Sequence, residues 1–106
     1  IISTNEGSTQ LLLKKLVPVR LILNDFAQKV IQAENEGASK EKLKELLGKG
    51  RAKLGMFEGD IHEGELEIGQ VSALINSIES VKNIIDKIIL EFKTAKEQIN
   101  HIKFEF

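Results

Sequence analysis

The sequence contains no cysteine, tryptophan or tyrosine, only one proline and one methionine, and two histidines in 106 residues. Without cysteine it can form neither a disulfide framework nor a thiolate zinc site, and it is compatible with a reducing cytosol. A surplus of either charge is also missing. Fifteen Lys and Arg stand against sixteen Asp and Glu, so the basic excess that a phosphate backbone demands is lacking and nucleic acid is not an expected partner. Uninterrupted apolar runs such as "LVPV" and "LIL" fall far short of the roughly 20 residues that cross a bilayer, and no secretory signal is visible, so no membrane association is expected. The chain opens on Ile1 and Ile2, and its first ten residues read as a polar turn between apolar elements. That pattern suits a fragment of a longer protein.

What is present is aliphatic. The 42% hydrophobic content is mostly Ile, Leu, Val and Ala, with five Phe. A chain of this length can bury roughly 60–70% of its unfolded surface, enough for one core and one domain at most. Leu23, Phe26, Ala27, Val30 and Ile31 recur at helical spacing behind Pro18, a residue suited to a first turn, and Gly37 suits a terminator, so the pattern predicts a helix over 18–36. Ser39 offers an N-cap for "KEKLKELL", predicting a second helix over 39–48 that ends at Gly48, with Glu41 near its positive end. Regular signals then stop. Six of the eight glycines lie between Gly48 and Gly69, which predicts an irregular strap over 49–68, unusual in a compact unit unless it is functional or draped on another part. Val71, Leu74, Ile75 and Ile78 predict a helix over 69–78. Ser80 caps a longer one over 81–98, where Val81, Ile84, Ile85, Ile88, Ile89, Phe92 and Ala95 form a wide stripe that can run on to Ile99. The tail "NHIKFEF" alternates and reads as a short strand or a frayed end. The expected fold is therefore mainly α, with about four helices and little or no strand. It divides into a lead-in over 1–17, two helices over 18–48, the strap over 49–68 and closing helices over 69–106.

The candidate chemistry is thin. Glu58, Asp60, His62, Glu63, Glu65 and Glu67 fit neither a calcium-loop spacing nor a zinc set, so the strap reads as a solvated acidic turn and no metal is expected. His62 and His101 each stand alone in the sequence. "GKGRAKLG" has the glycines and cations of a phosphate cradle but not the Walker pattern, so Lys49, Arg51 and Lys53 are expected to meet neighbouring acids or water. Gly69 followed by Gln70 at a helix start permits close backbone approach and presents free N–H groups, although on residue chemistry alone a turn required only for packing is the better reading. No nucleophile–base pair and no complete acid–base pair is present, so no residue is assigned as catalytic.

Taken in order, "VPVRLILNDFAQKVIQAENEGAS", "GKGRAKLGMFEGDIHEGELEIGQVSALI" and "IIDKIILEF" resemble the C-terminal part of the nitronate monooxygenase family, formerly 2-nitropropane dioxygenase, which includes flavin-dependent enoyl-acyl carrier protein reductase II. Pro18, Val19 and Arg20 match one element of the family, and Gly59, Asp60, Gly64, Gly69 and Gln70 another; the resemblance spans about Ile2 to Phe92. It implies that the complete parent is a cytoplasmic FMN enzyme on a (β/α)8 barrel, oxidising alkyl nitronates or reducing enoyl thioesters with NAD(P)H. The barrel strands, the glycine-rich phosphate loops and the catalytic histidine region of that family are not in this sequence, so His62 is not its base. Under the resemblance this chain is a lid and closure segment, inactive alone, whose apolar helix faces are covered by the rest of the barrel or by a partner chain. Gly69 and Gln70 would then lie by the flavin and Leu66 by the substrate mouth. The amphipathic stripes equally allow an independent four-helix interaction module without enzymatic activity.

Overall fold

The computed structural model describes residues 1–103. Strands β1 (Thr9–Leu12) and β2 (Val19–Ile22) pair antiparallel, with Thr9 opposite Ile22 and Leu12 opposite Val19. This corrects the expected helix start at residue 18. Pro18 cannot donate to a ladder and stands just outside β2, a position proline tolerates, while Val19 to Ile22 find partners on both sides. On one side is β1. On the other, the Ile22 amide donates to the Leu66 carbonyl and the Ile68 amide to the Arg20 carbonyl, both at 3.0 Å, and Leu21 bridges Glu67. Pairing on two edges outweighs the helical spacing that begins at Leu23.

The helix begins instead at Asp25. Helix α1 (Asp25–Asn35) is capped by Asn24, whose side chain accepts from the Ala27 amide, satisfying one of the donors that a helix start leaves free. It buries Phe26, Ala27, Val30 and Ala33. It ends as expected: Gly37 takes φ +75°, and the Gly37 and Ala38 amides return to the Glu34 and Ala33 carbonyls, a glycine-closed terminus. Helix α2 (Lys40–Leu47) follows, with Ser39 accepting from Lys42 and Gly48 at its end.

The core joins the hairpin to these helices. Leu12, Leu13, Leu21, Phe26, Ala27 and Val30 form one cluster, and Ala33, Ala38 and Leu43 a second. Leu13 is 1% exposed at φ 56°. Left-handed backbone costs a non-glycine residue roughly 1–2 kcal/mol, and burying a leucine returns about 1.5–3 kcal/mol, so packing holds the strained turn.

The strap is more ordered than its composition suggests. It contains helix α3 (Arg51–Met56), and 66–68 runs along β2 as described. Over 69–78 the expected α-helix is a 3-10 turn, Gln70–Leu74, with no side-chain cap. Its bonds are of the tighter kind, Ser72 amide to Gly69 carbonyl and Ile75 amide to Ser72 carbonyl.

The chain divides into two compact units, Ile1–Asn76 and the residues from Ser77 onward. The second unit is helix α4 (Val81–His101), capped by the Ser80 side chain on the Asn83 amide, and none of its residues is buried. It runs a few residues past the expected end at 98, so Asn100 and His101 of the tail are helical, while residues 104–106 lie outside the described residues. The chain as described is mainly helical with a small two-stranded sheet. Among the described residues no helix is long and apolar enough to cross a membrane.

Candidate functional site

The concave surface that gathers the motif residues lies in the first unit. Asn5, Glu6 and Gly7 of the N-terminal turn, Thr9 of β1, Arg20 of β2 and Gln70, Val71, Ala73 and Leu74 of the 3-10 turn line a cavity of about 460 Å³. The strap builds it. Because the Ile68 amide is held by the Arg20 carbonyl, Gln70 follows two residues later at the end of β2. Arg20 is steered by β1: its guanidinium donates to the Thr9 hydroxyl at 3.2 Å and reaches the Thr9 carbonyl at 3.4 Å. Arg20 and Gln70, which belong to two separate motif segments, thus meet around one cavity.

Leu66 and Gly69 do not line it. The Leu66 carbonyl is held by Ile22, and its side chain packs on Gly55, where a Cβ would lie 2.7 Å from Leu66 Cδ2. Gly69 has φ −83°, and a Cβ there would meet nothing within 4 Å. Neither close approach nor positive φ therefore requires a glycine at 69 in this chain. Ser72 is 4% exposed and its hydroxyl has no hydrogen-bond partner among the described residues.

The glycines that do carry close approach are Gly55 and Gly64, and the acids around them shape the turn. The Asp60 carboxylate accepts from the His62 amide at 3.0 Å and the Glu63 amide at 2.9 Å. Those bonds, Glu63's first, favour the charged form and hold its pKa below the usual carboxylate value. Asn24 adds a second anchor, donating to the Ile61 and Gly64 carbonyls at 3.0 and 2.8 Å. Glu65, expected to be solvated, is 8% exposed. Burial, and then the neighbouring Glu67 charge, push its pKa up, against a smaller opposing pull from Arg51. His62 is exposed and its Nδ1 lies 3.1 Å from Asp25.

Arg51 resolves the "GKGRAKLG" segment. Its guanidinium donates to the Leu46, Leu47 and Glu63 carbonyls at 3.2, 2.8 and 2.8 Å and lies 4.4 Å from the centroid of the Phe26 ring. It closes the carbonyl end of α2 and ties it to the strap and to α1. Lys53 pairs with Glu58 at 3.6 Å. Arg51 was expected to meet a neighbouring acid and does, reaching the Glu63 carboxylate at 3.4 Å; Asn24 is the organising residue that the sequence reading missed. The signal for Asn24 was "NDF", a cap followed by an acid ahead of an apolar position.

Among the described residues no group of three or more His, Asp or Glu is arranged to hold a metal. For a flavin mononucleotide the fit is partial. Gln70 and Arg20 supply donors of the kind a flavin edge or a phosphate accepts, but the cavity has one guanidinium, already on Thr9, with Glu6 in the same lining. A full flavin site needs groups from outside this chain.

These features define a mainly helical segment with a cavity at one sheet end that polar and apolar side chains line together. Among solved structures, the segment is similar to FabK from Thermotoga maritima, with a TM-score of 0.80 and 31% sequence identity over 93% of this chain. It is also similar to the M276A mutant of that FabK, with a TM-score of 0.70 and 25% identity. The chain spans only 31% and 27% of the length of those two chains. No protein-family model and no curated protein matches it.

Proposed function

We propose that this chain is the C-terminal closure segment of a cytoplasmic FMN-dependent oxidoreductase of the nitronate monooxygenase and enoyl reductase kind, and that it contributes Gln70 and Arg20 to the flavin or substrate mouth but no catalytic base. The observation that carries the reading is the superposition on under a third of FabK at 31% identity, together with the ordered "PVR" and "GD…G…GQ" segments. The strap is the closing element: its pairing along β2 sets Gln70 beside Arg20. The absent barrel supplies the phosphate site, the base and the NAD(P)H site. Of the two reactions, reduction of an enoyl thioester is favoured, because the likeness is to FabK.

The test is a chimaera in which this chain replaces the corresponding C-terminal third of Thermotoga maritima FabK. The expected product retains flavin and consumes a nicotinamide donor with an enoyl thioester. Gln70→Ala in it should lower flavin retention or turnover while leaving apoprotein melting nearly unchanged, since surface substitutions usually stay within about 0.5 kcal/mol. A folded chimaera that holds no flavin would overturn the closure reading. Unaltered flavin affinity and kinetics in the Gln70 variant would remove that residue from the site.

A further inference from the structure

The cavity at the sheet end holds a cation whose hydrogen-bonding capacity the fold leaves half used. Nη1 of Arg20 donates to the hydroxyl and the carbonyl of Thr9, at 3.2 and 3.4 Å, while Nε and Nη2 have no hydrogen-bond partner among the described residues. Neither atom is sealed from solvent. No carboxylate among the described residues comes within salt-bridge distance of this guanidinium. Arg51, the other arginine, is by contrast bound to three carbonyls and to Glu63. A guanidinium braced through Nη1 and bare along its Nε–Nη2 edge offers the parallel pair of donors that a phosphate or a carboxylate accepts. Because Thr9 already fixes the side chain, a ligand would lose less of its binding energy to ordering it.

The rest of the cavity says what accompanies the anion. Val71 and Leu74 line it while 66% and 78% exposed, so a ligand that joins an anion to an apolar stem would cover both. Its volume of about 460 Å³ falls in the roughly 300–1,000 Å³ range of small-molecule sites. We infer that the cavity seats the phosphate of a small ligand with an apolar stem, that Arg20 binds this phosphate along its Nε–Nη2 edge, and that Thr9 is the positioning residue for Arg20. The choice of phosphate over carboxylate rests on the closure reading: a thioester carrier arm and a nicotinamide dinucleotide both bear phosphate, and the flavin phosphate belongs to the barrel. Glu6 in the same lining opposes an anion, so neutralising it should strengthen binding.

The first test uses the full chain, isotope-labelled, with phenyl phosphate as probe and phenol as its uncharged control. Phenyl phosphate should move the backbone amide signals of Arg20, Gln70 and Val71 in a saturable way, and phenol should not. Arg20→Gln should weaken this binding on the order of tenfold, Arg20→Lys by less, and Glu6→Gln should tighten it about twofold. Amides that phenyl phosphate leaves unmoved, or an affinity unchanged in Arg20→Gln, would overturn the inference. The second test uses the FabK chimaera. Arg20→Gln should raise the KM of the reactant whose phosphate it holds about tenfold: a change in the thioester KM assigns the carrier arm, and a change in the nicotinamide KM assigns the dinucleotide. Thr9→Val, which suits a strand but lacks the hydroxyl, should raise the same KM about threefold, and Thr9→Ser should restore it. Loss of flavin from Arg20→Gln with both KM values intact would place the guanidinium on the cofactor and overturn the inference. The closure reading fails separately: a folded chimaera without flavin ends it, whereas phosphate binding by the chain itself would still stand.

Discussion

Gly64 lies directly on Gly55: a Cβ on Gly64 would come 2.2 Å from the Gly55 Cα and 2.4 Å from the Asp60 carbonyl oxygen. The backbone of α3 and the returning strap touch with no side chain between them, and this contact delivers the strap to the edge of β2. It also accounts for much of the concentration of glycine in "GMFEGDIHEG". Two glycines, nine residues apart, let one segment fold back on itself.

Gly64→Ala should therefore cost at least about 2–3 kcal/mol, because the obstructing atoms are backbone and cannot swing aside. Gly69→Ala is the control: with φ −83° and open space around the missing Cβ, it should leave stability within about 0.5 kcal/mol. Denaturant melts of the two variants check both. Equal losses would mean that the two positions are conformationally equivalent, contrary to the close contact.

Asn24 holds two elements at once, capping α1 through Oδ1 and the strap through Nδ2. Asn24→Ala should lose about 2–3 kcal/mol, roughly 1 from the cap and about 1 for each carbonyl left without its donor. Asn24→Asp separates the two roles, since it keeps the cap acceptor and removes the donor. Hydrogen exchange should then find the Ala27 amide still protected and the strap amides of His62 and Glu63 exposed earlier than in the parent chain.

Arg51 binds carbonyls in three directions while stacking on Phe26. A lysine keeps the charge but loses the planar fork, so Arg51→Lys should cost about 1–2 kcal/mol and Arg51→Met about 2–3 kcal/mol. Thermal melts of the first unit read both. A lysine variant as stable as the parent would reduce Arg51 to a point charge beside Glu63.

Much of the helical framework was legible because its signals are local. Ser39 and Ser80 cap where expected, Gly37 and Gly48 terminate where expected, and the stripe of α4 follows from spacing alone. The hairpin was not legible, because Val19 to Ile22 become a strand through partners 7 to 13 residues earlier and some 46 later in the chain, a distance over which periodicity is silent. The same limit applies to the site. Gln70 and Arg20 were each visible within a motif, but their meeting around one cavity depends on strap pairing. Leu66 faces Gly55 for the same long-range reason, and Glu65 is buried by contacts that an acidic run does not announce.

Glu65 supplies the pH dependence that distinguishes this strap from a solvated one. The residue is largely buried and its pKa is raised, with burial the larger cause and Glu67 the smaller. A folded-state pKa above the unfolded value means that the native state binds the proton more tightly. The contribution is then fully present below the ordinary carboxylate pKa and is lost as pH rises through the raised value. Asp60, whose pKa is lowered, works in the opposite direction, adding stability above its ordinary value that is lost on acidification, so the parent profile mixes the two. Glu65→Gln isolates the first. It removes the buried charge and keeps the shape, and at neutral pH it should stabilise the first unit by on the order of 1 kcal/mol. The gain should shrink as pH falls and vanish once Glu65 is protonated in both folded and unfolded chains. Urea midpoints of the two proteins from neutral to acid pH provide the measurement. A constant difference across that range, or a loss of stability at neutral pH, would show that the Glu65 carboxylate is ionised and well partnered in the fold, not held there at a cost.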